Sequence, residues 1–249
     1  MLPEGSFATL ANGFQFHYHD GGQGDVVLFL HGSGTGASGF TNFKKNIDFF
    51  QRNGFRTIVP DLPGYGFSDK PEDEIYTMSF FNNLLLELLD HLNITNCSVV
   101  GNSLGGALAM GLSLEQPKRF SKLILMAPGG LEDFNAYQEM PGIKKLLGDF
   151  LGGEMNQEKI EGLLKLFPYD PSFVTKDIIE DRMEILPLMN QQVLASMDIP
   201  NLSEKLKNNQ TPVLAFWGSN DLFIPASGIN KILDLYTNSQ VVTFSNCGH

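Results

Sequence analysis

Cysteine is nearly absent from this chain. Cys97 and Cys247 are the two in 249 residues, with no CxxC spacing and no histidine cluster beside either. Neither a disulfide framework nor a zinc site is indicated, and both read as small buried apolar residues. Positive charge is also short: 17 Lys and Arg stand against 28 Asp and Glu, a formal charge of −11. The resulting field repels phosphate backbones and anionic lipid surfaces, which argues against nucleic acid and membrane as partners. No run of about 18 apolar residues occurs that could span a bilayer, and the start MLPEGSFATLANGFQF has no basic stretch followed by an apolar one. These absences predict a soluble, cytoplasmic protein. What is present is apolar mass: 42% hydrophobic and 11% aromatic residues suffice for one large core and exclude disorder.

Short β-rich runs recur at Val26–Leu30, Phe55–Pro60, Cys97–Gly101, Lys122–Ala127, Pro212–Trp217 and Gln240–Phe244, each closed by Gly, Pro or Asp. Helix-length stretches separate them. Continuous apolar runs such as VVLFL and KLILMA suit strands covered on both faces, so the fold class is α/β with a mostly parallel central sheet flanked by helices. The early FQFHYH alternates instead and is expected as an antiparallel edge strand. From about Gly129 to Gln210 strand signals stop, and GIKKLLGDFLGG, QEKIEGLLKLF, TKDIIEDRMEIL and LSEKLKNN read as amphipathic helices. Strand character resumes at Thr211. The predicted organisation is therefore a core over 1–129 and 211–249 interrupted by a helical lid over 130–210.

The most informative segment is CSVVGNSLGGALAM, a strand that ends in Gly101-Asn102-Ser103-Leu104-Gly105 and runs into a small-residue helix. It fits the G-x-S-x-G pattern in which a sharp strand-to-helix turn exposes a nucleophilic serine and the glycines avoid clashes with neighbouring backbone. The Leu104 N–H at the helix start then points at a reacting carbonyl oxygen. After the strand VVLFL comes His31-Gly32-Ser33-Gly34-Thr35-Gly36. Its glycines let amides converge on an anion, and the Ser33 N–H is expected as the second oxyanion donor. No Lys-Ser/Thr follows, so it is not a phosphate loop.

A serine nucleophile needs a base, and the base an orienting acid. TPVLAFWG leads into Ser219-Asn220-Asp221 and QVVTFS into Asn246-Cys247-Gly248-His249, giving the order Ser103, Asp221, His249, each just past a strand end. Among the other histidines, His17 and His19 read as solvent-facing, His91 lies on a helix, and His31 suits a structural role beside the oxyanion loop. Asp61, inside DLPGYGFSD, is the second candidate for the acid or a brace for its loop. Trp217 is expected to pack at a strand end.

With these residues in place the chain resembles the α/β-hydrolase superfamily over essentially its whole length. Within it, the chain resembles the meta-cleavage product hydrolases, serine-dependent enzymes that cut a C–C bond in ring-opened aromatic catabolites. The matching stretches are HGSGTGASGFTNF, DLPGYGFSDKP, GNSLGGALA, LILMAPGG, LFPYDPSFVTKDIIEDRM and SNCGH. The resemblance implies that Arg182 binds the substrate carboxylate and keto-enol end, a task suited to a planar guanidinium. It also implies that Asn42 and Asn102 hydrogen-bond near that end and that Phe167 walls the pocket. Without the resemblance, Arg182 reads as a surface residue paired with Glu180 or Asp181. The substrates implied are 2-hydroxy-6-oxo-2,4-dienoates, cleaved between C5 and C6 through an acyl-enzyme on Ser103.

Two departures stand out. Thr35 occupies a position where the family usually has proline. The family continues past its catalytic histidine with a Trp and a helix, whereas this sequence stops at His249, which implies a truncated chain. No metal or organic cofactor is implied, since an activated serine needs none. The resemblance favours a dimer or higher homo-oligomer acting on a small-molecule substrate. Two other functions stay open: a carboxylesterase for small esters, because the same triad serves ordinary acyl transfer, and a binding protein of this fold without turnover.

Overall fold

The computed structural model describes residues 2–151, 153, 155–190 and 192–249. The first half alternates strand and helix: β1 (Ser6–Thr9), β2 (Gln15–Gly21), β3 (Asp25–Leu30), α1 (Gly39–Arg52), β4 (Phe55–Pro60), α2 (Met78–His91), β5 (Cys97–Asn102), α3 (Leu104–Glu115) and β6 (Phe120–Met126). A helical stretch follows: α4 (Phe134–Gln138), α5 (Pro141–Leu151), α6 (Gln157–Leu164), α7 (Lys176–Ile185), α8 (Gln192–Ser196) and α9 (Ser203–Leu206). Then β7 (Val213–Gly218), α10 (Ser227–Leu235) and β8 (Ser239–Phe244) complete the sheet. The six strand runs read from the sequence coincide with β3 to β8. The runs GIKKLLGDFLGG, QEKIEGLLKLF, TKDIIEDRMEIL and LSEKLKNN carry α5, α6, α7 and α9, although Gly152 lies outside the described residues.

The eight strands form one sheet in the order β1-β2-β4-β3-β5-β6-β7-β8. From β4 through β8 the pairings are parallel, and β2 runs antiparallel to both β1 and β4. The expected antiparallel strand is therefore present but is not the edge. The four residues of β1 pair outside it, Ser6 opposite Tyr18 and Thr9 opposite Gln15, and so short a segment carries no readable periodicity. This cover also corrects the reading of His17. It is buried at 3% exposed, between the rings of Phe7 and Phe67, both 5.0 Å away, while His19 is half-buried. Cys97 is buried as expected, but Cys247 is only half-buried, in the turn after β8.

Strand β3 shows why its apolar run is continuous. Val27 and Phe29 join Phe43, Ile47, Val59 and Val100 under α1, while Leu28 and Leu30 point the other way into the larger core with Phe81, Leu85 and Leu108 from α2 and α3. Both faces are dry, as a parallel strand between helical layers requires. The chain leaves β3 toward β4 on one side and later returns to lay β5 on the other side of β3. The crevice beyond the C-terminal ends of β3 and β5 is thus a topological switch point, the usual place for a ligand in an open parallel sheet.

Candidate active site

Ser103 sits in the one-residue turn between β5 and α3, with φ 53° and ψ −114°. An L-residue in that conformation is strained and is held there by its surroundings. The flanking glycines show how. A Cβ on Gly105 would run into the carbonyl of Leu30 on β3, and one on Gly101 into the carbonyl of Gly105, so the turn is wedged between strand and helix with no room for side chains. The Ser103 amide and carbonyl are fixed as well, the first donating to Met126 O at 3.0 Å and the second accepting from Gly106 and Gly129 at 3.0 and 2.9 Å.

The loop after β3 lies directly beside this turn. His31 is fully buried; its Nδ1 lies 2.8 Å from Gly32 O, and the Leu62 N–H donates to its Nε2 at 2.9 Å. Because a carbonyl can only accept and an amide only donate, the ring is the neutral tautomer protonated at Nδ1. Burial lowers its pKa from 6.5 to about 4, so it stays neutral at physiological pH. This assigns His31 the loop-holding role expected of it. Asp61 braces the same region from beneath. Its Oδ1 accepts from Gly39 N at 2.7 Å, and its Oδ2 accepts from Phe67 N at 2.9 Å and lies 2.8 Å from His17 Nδ1. Burial works against its charge, but the His17 contact and the Phe67 amide more than offset that and hold its pKa below the ordinary carboxylate value.

Asp221 follows β7 and is oriented by its own turn, Oδ1 accepting from the Phe223 and Ile224 amides at 2.7 and 2.8 Å. That leaves Oδ2 for His249, whose Nδ1 lies 2.7 Å away, with both side chains almost fully buried. His249 and Ser103 line one small cavity of about 40 Å³, together with Ser33, Asn42, Asn102, Phe167 and Arg182. Leu104 is not among the lining residues; it is the first residue of α3. Neither the Ser33 nor the Leu104 amide finds an acceptor among the described residues, which leaves both free for an oxyanion. Ser33, Asn42, Asn102, Ser103, Phe167, Arg182 and His249 thus line one cavity with Asp221 against His249, and among the described residues Asp61 makes no hydrogen bond to His249.

Arg182 reaches the cavity from α7. Burial lowers its pKa from 12.5 to about 10, against the opposing pull of Asp181. The partners that a surface reading offers are engaged elsewhere: Glu180 pairs with Lys176 at 3.0 Å, and Asp181 with Lys44 of α1. No carboxylate among the described residues forms an ion pair with the guanidinium. Asn42 lies on α1, and Asn102, at the end of β5, donates to Met126 O at 3.3 Å. Gly36 has φ +68°, and a side chain there would press on the Arg182 carbonyl 2.6 Å away, so the loop after β3 packs straight against α7.

Several residues of the site were not expected from sequence. Phe223 stacks on Phe167 with centroids 4.2 Å apart and lies 5.3 Å from the His249 ring. Ile143, Leu146 and Leu163 complete the apolar side of the cavity. Lys44, paired with Asp181 and, at 3.2 Å, Asp177, fastens α7 to α1. Among the described residues no group of three or more His, Cys, Asp or Glu is placed to hold a metal, and no helix is long and apolar enough to cross a membrane.

Residues 25–157 match the profile of the family described as alpha/beta hydrolase fold. A 2-hydroxy-6-oxo-6-phenylhexa-2,4-dienoate hydrolase of Burkholderia cepacia is 33% identical over 246 residues, 95% of this chain and 85% of the relative. A 2-hydroxy-6-oxononadienedioate/2-hydroxy-6-oxononatrienedioate hydrolase of Pseudomonas putida is 33% identical over 257 residues, 98% of this chain and 89% of the relative. Among solved structures, a meta-cleavage product hydrolase from Pseudomonas fluorescens IP01 superposes with a TM-score of 0.85 at 27% identity, covering 99% of this chain and 91% of that one.

Proposed function

The chain belongs to the alpha/beta hydrolase fold family and, within it, to the meta-cleavage product hydrolases, and on that footing we propose that it hydrolyses the C5–C6 bond of 2-hydroxy-6-oxo-2,4-dienoates with Ser103 as nucleophile, His249 as base and Asp221 as orienting acid. The observation that carries this reading is the pairing of two features in one cavity. The Asp221–His249 contact and the strained Ser103 supply acyl-transfer chemistry, and the Arg182 guanidinium, with no ion-pair partner among the described residues, supplies a seat for a carboxylate. An esterase for neutral substrates has no use for the second.

In the proposed reaction the substrate carboxylate and its 2-oxygen lie against Arg182, with Asn42 and Asn102 beside them. Ketonisation moves the proton of the 2-hydroxyl to C5. His249 then takes the Ser103 proton as Oγ attacks the C6 carbonyl, and the Ser33 and Leu104 amides hold the oxyanion. When the tetrahedral adduct collapses, the C5–C6 bond breaks and its electron pair passes into the dienolate that ends on the 2-oxygen, which Arg182 stabilises. His249 returns its proton to the departing dienolate, giving the neutral dienol, then activates water to release the C6 acyl group from Ser103. The helical segment 130–210 acts as a lid over this cavity. The same reading has the enzyme cytoplasmic, independent of metals and cofactors, and a homo-oligomer.

The test compares the native protein with Ser103→Ala on a coloured 2-hydroxy-6-oxodienoate and on a neutral p-nitrophenyl ester. Strong serine-dependent dienoate cleavage with feeble ester cleavage supports the proposal. Good ester turnover with no loss of dienoate makes the protein a carboxylesterase and returns Arg182 to an ordinary helix residue.

A further inference from the structure

Relatives at equal identity act, by their names, on dienoates with very different C6 substituents: a phenyl ring in one case, a chain ending in a second carboxylate in the other. Overall similarity therefore does not decide what this chain accepts. The two sides of the cavity do. Asn42, Asn102, Phe167, Arg182 and His249 are shared with an adjoining groove of about 670 Å³, whereas Ile143, Leu146, Leu163 and Phe223 line the cavity alone. Ser103 also belongs only to the cavity, alongside the four apolar side chains, while the polar Asn42, Asn102 and Arg182 border the groove as well. A substrate whose carboxylate sits at Arg182 and whose C6 carbonyl meets Ser103 sends its C6 substituent among those apolar four.

The construction of that side is non-local. Phe223 lies two residues after Asp221, and the Gly142 N–H donates to the carbonyl of the intervening Leu222 at 2.8 Å, which seats the start of α5 on the same turn. A Cβ on Gly142 would press on the Phe223 ring at 2.6 Å. Ile143 and Leu146, one turn apart on α5, then line the cavity with Leu163 of α6. The cations of these two helices are turned elsewhere. Lys144 pairs with Glu139 at 2.8 Å and Lys145 with Asp149 at 2.8 Å. Lys159 donates to the carbonyls of Asp149 and Gly153 at 3.1 and 3.2 Å. None of the three lines the cavity, and Arg182 is the one cation that does so among the described residues.

We propose that the wall formed by Ile143, Leu146, Leu163 and Phe223 selects ring-fission products with an uncharged, apolar C6 substituent, alkyl or aryl, and rejects those bearing a carboxylate there. This rests on the C–C hydrolase reading for the identity of the substrate. Its physical basis is independent: a carboxylate pressed among aliphatic chains loses its hydration and finds no cation, whereas a methyl or phenyl group gains by leaving water.

The experiment measures kcat/KM of the native protein on 6-methyl and 6-phenyl 2-hydroxy-6-oxohexa-2,4-dienoates and on 2-hydroxy-6-oxononadienedioate. The expected result is a kcat/KM for the dioate at least about a hundredfold below the better of the other two. Equal or faster cleavage of the dioate overturns the proposal. A parallel pair, p-nitrophenyl butyrate and mono-p-nitrophenyl succinate, places the same two acyl chemistries on Ser103 without any dienoate. If no dienoate is cleaved, the C–C reading fails on its own and the ester pair decides the wall: succinate much slower than butyrate upholds it, and equal rates overturn it.

Discussion

The backbone N–H of His249 donates to the carbonyl of Phe167 at 2.7 Å, so the residue proposed as base is held by the helical segment that covers the site as well as by Asp221. The Phe167 ring meanwhile stacks on Phe223, beside the same imidazole. Removing that ring by Phe167→Ala loosens the support without touching the substrate carboxylate. Expected is a fall in kcat of about tenfold that is equal for dienoate and neutral ester, since a displaced reacting group carries a rate cost common to both. Steady-state kinetics on the two substrates check it.

Asp221→Asn keeps the turn size but removes the charge facing His249 Nδ1. The Phe223 and Ile224 amides can still be accepted by the side-chain oxygen, so thermal stability should change little while kcat falls by roughly a thousandfold or more. Asp61→Asn should do the reverse, costing stability through His17 and Gly39 while sparing most of the turnover per folded molecule. Paired melting curves and active-site titration separate the two.

Arg182→Ala is expected to lower kcat/KM for dienoates by at least about a hundredfold and for a neutral ester by less than about threefold. Lys44→Ala probes the same residue indirectly. It removes the ion pairs that fasten α7, the helix carrying Arg182, to α1, and KM for the dienoate should rise several-fold with kcat nearly unchanged.

The neutral His31 predicts a pH dependence of stability. Its folded pKa of about 4 lies below its ordinary 6.5. Between those values the unfolded chain binds a proton that the folded chain refuses, so stability falls as pH drops from about 6.5 toward 4 and is unaffected by this group above 7. The full loss is on the order of 3 kcal/mol. Urea midpoints across pH 4 to 8 should show that slope, and it should be flatter in His31→Gln.

Thr35, at the position where the resemblance expects proline, buries a hydroxyl that has no hydrogen-bond partner among the described residues. Thr35→Val, which deletes the unpaired group at nearly constant shape, should stabilise by about 1 kcal/mol. A rise of a few degrees in the thermal midpoint is the readout.

What could be read in the sequence was whatever local pattern encodes. Strands β3 to β8 announce themselves by apolar runs ended by Gly, Pro or Asp, and the Ser103 turn by glycines whose absence of side chains the packing against Leu30 requires. Short β1 has no such pattern, and without it the burial of His17 could not be foreseen. The apolar wall was equally hidden, because Ile143, Leu163 and Phe223 meet only when α5 docks on the turn after Asp221. The surface reading of Arg182 could have been doubted from helix geometry alone. Residues one and two positions apart do not face each other, whereas Glu180 and Lys176 are four apart and do pair.

The backbone angles of Ser103 bear on more than the exposure of its hydroxyl. A glycine could take φ 53° and ψ −114° without penalty, and a serine there costs the fold about 1 to 3 kcal/mol. An inactive Ser103→Gly protein should therefore melt at a higher temperature than the active one. On the role proposed for Ser103, this gain in robustness lies at a position where selection for turnover forbids it, and adaptation toward heat tolerance proceeds through the rest of the molecule.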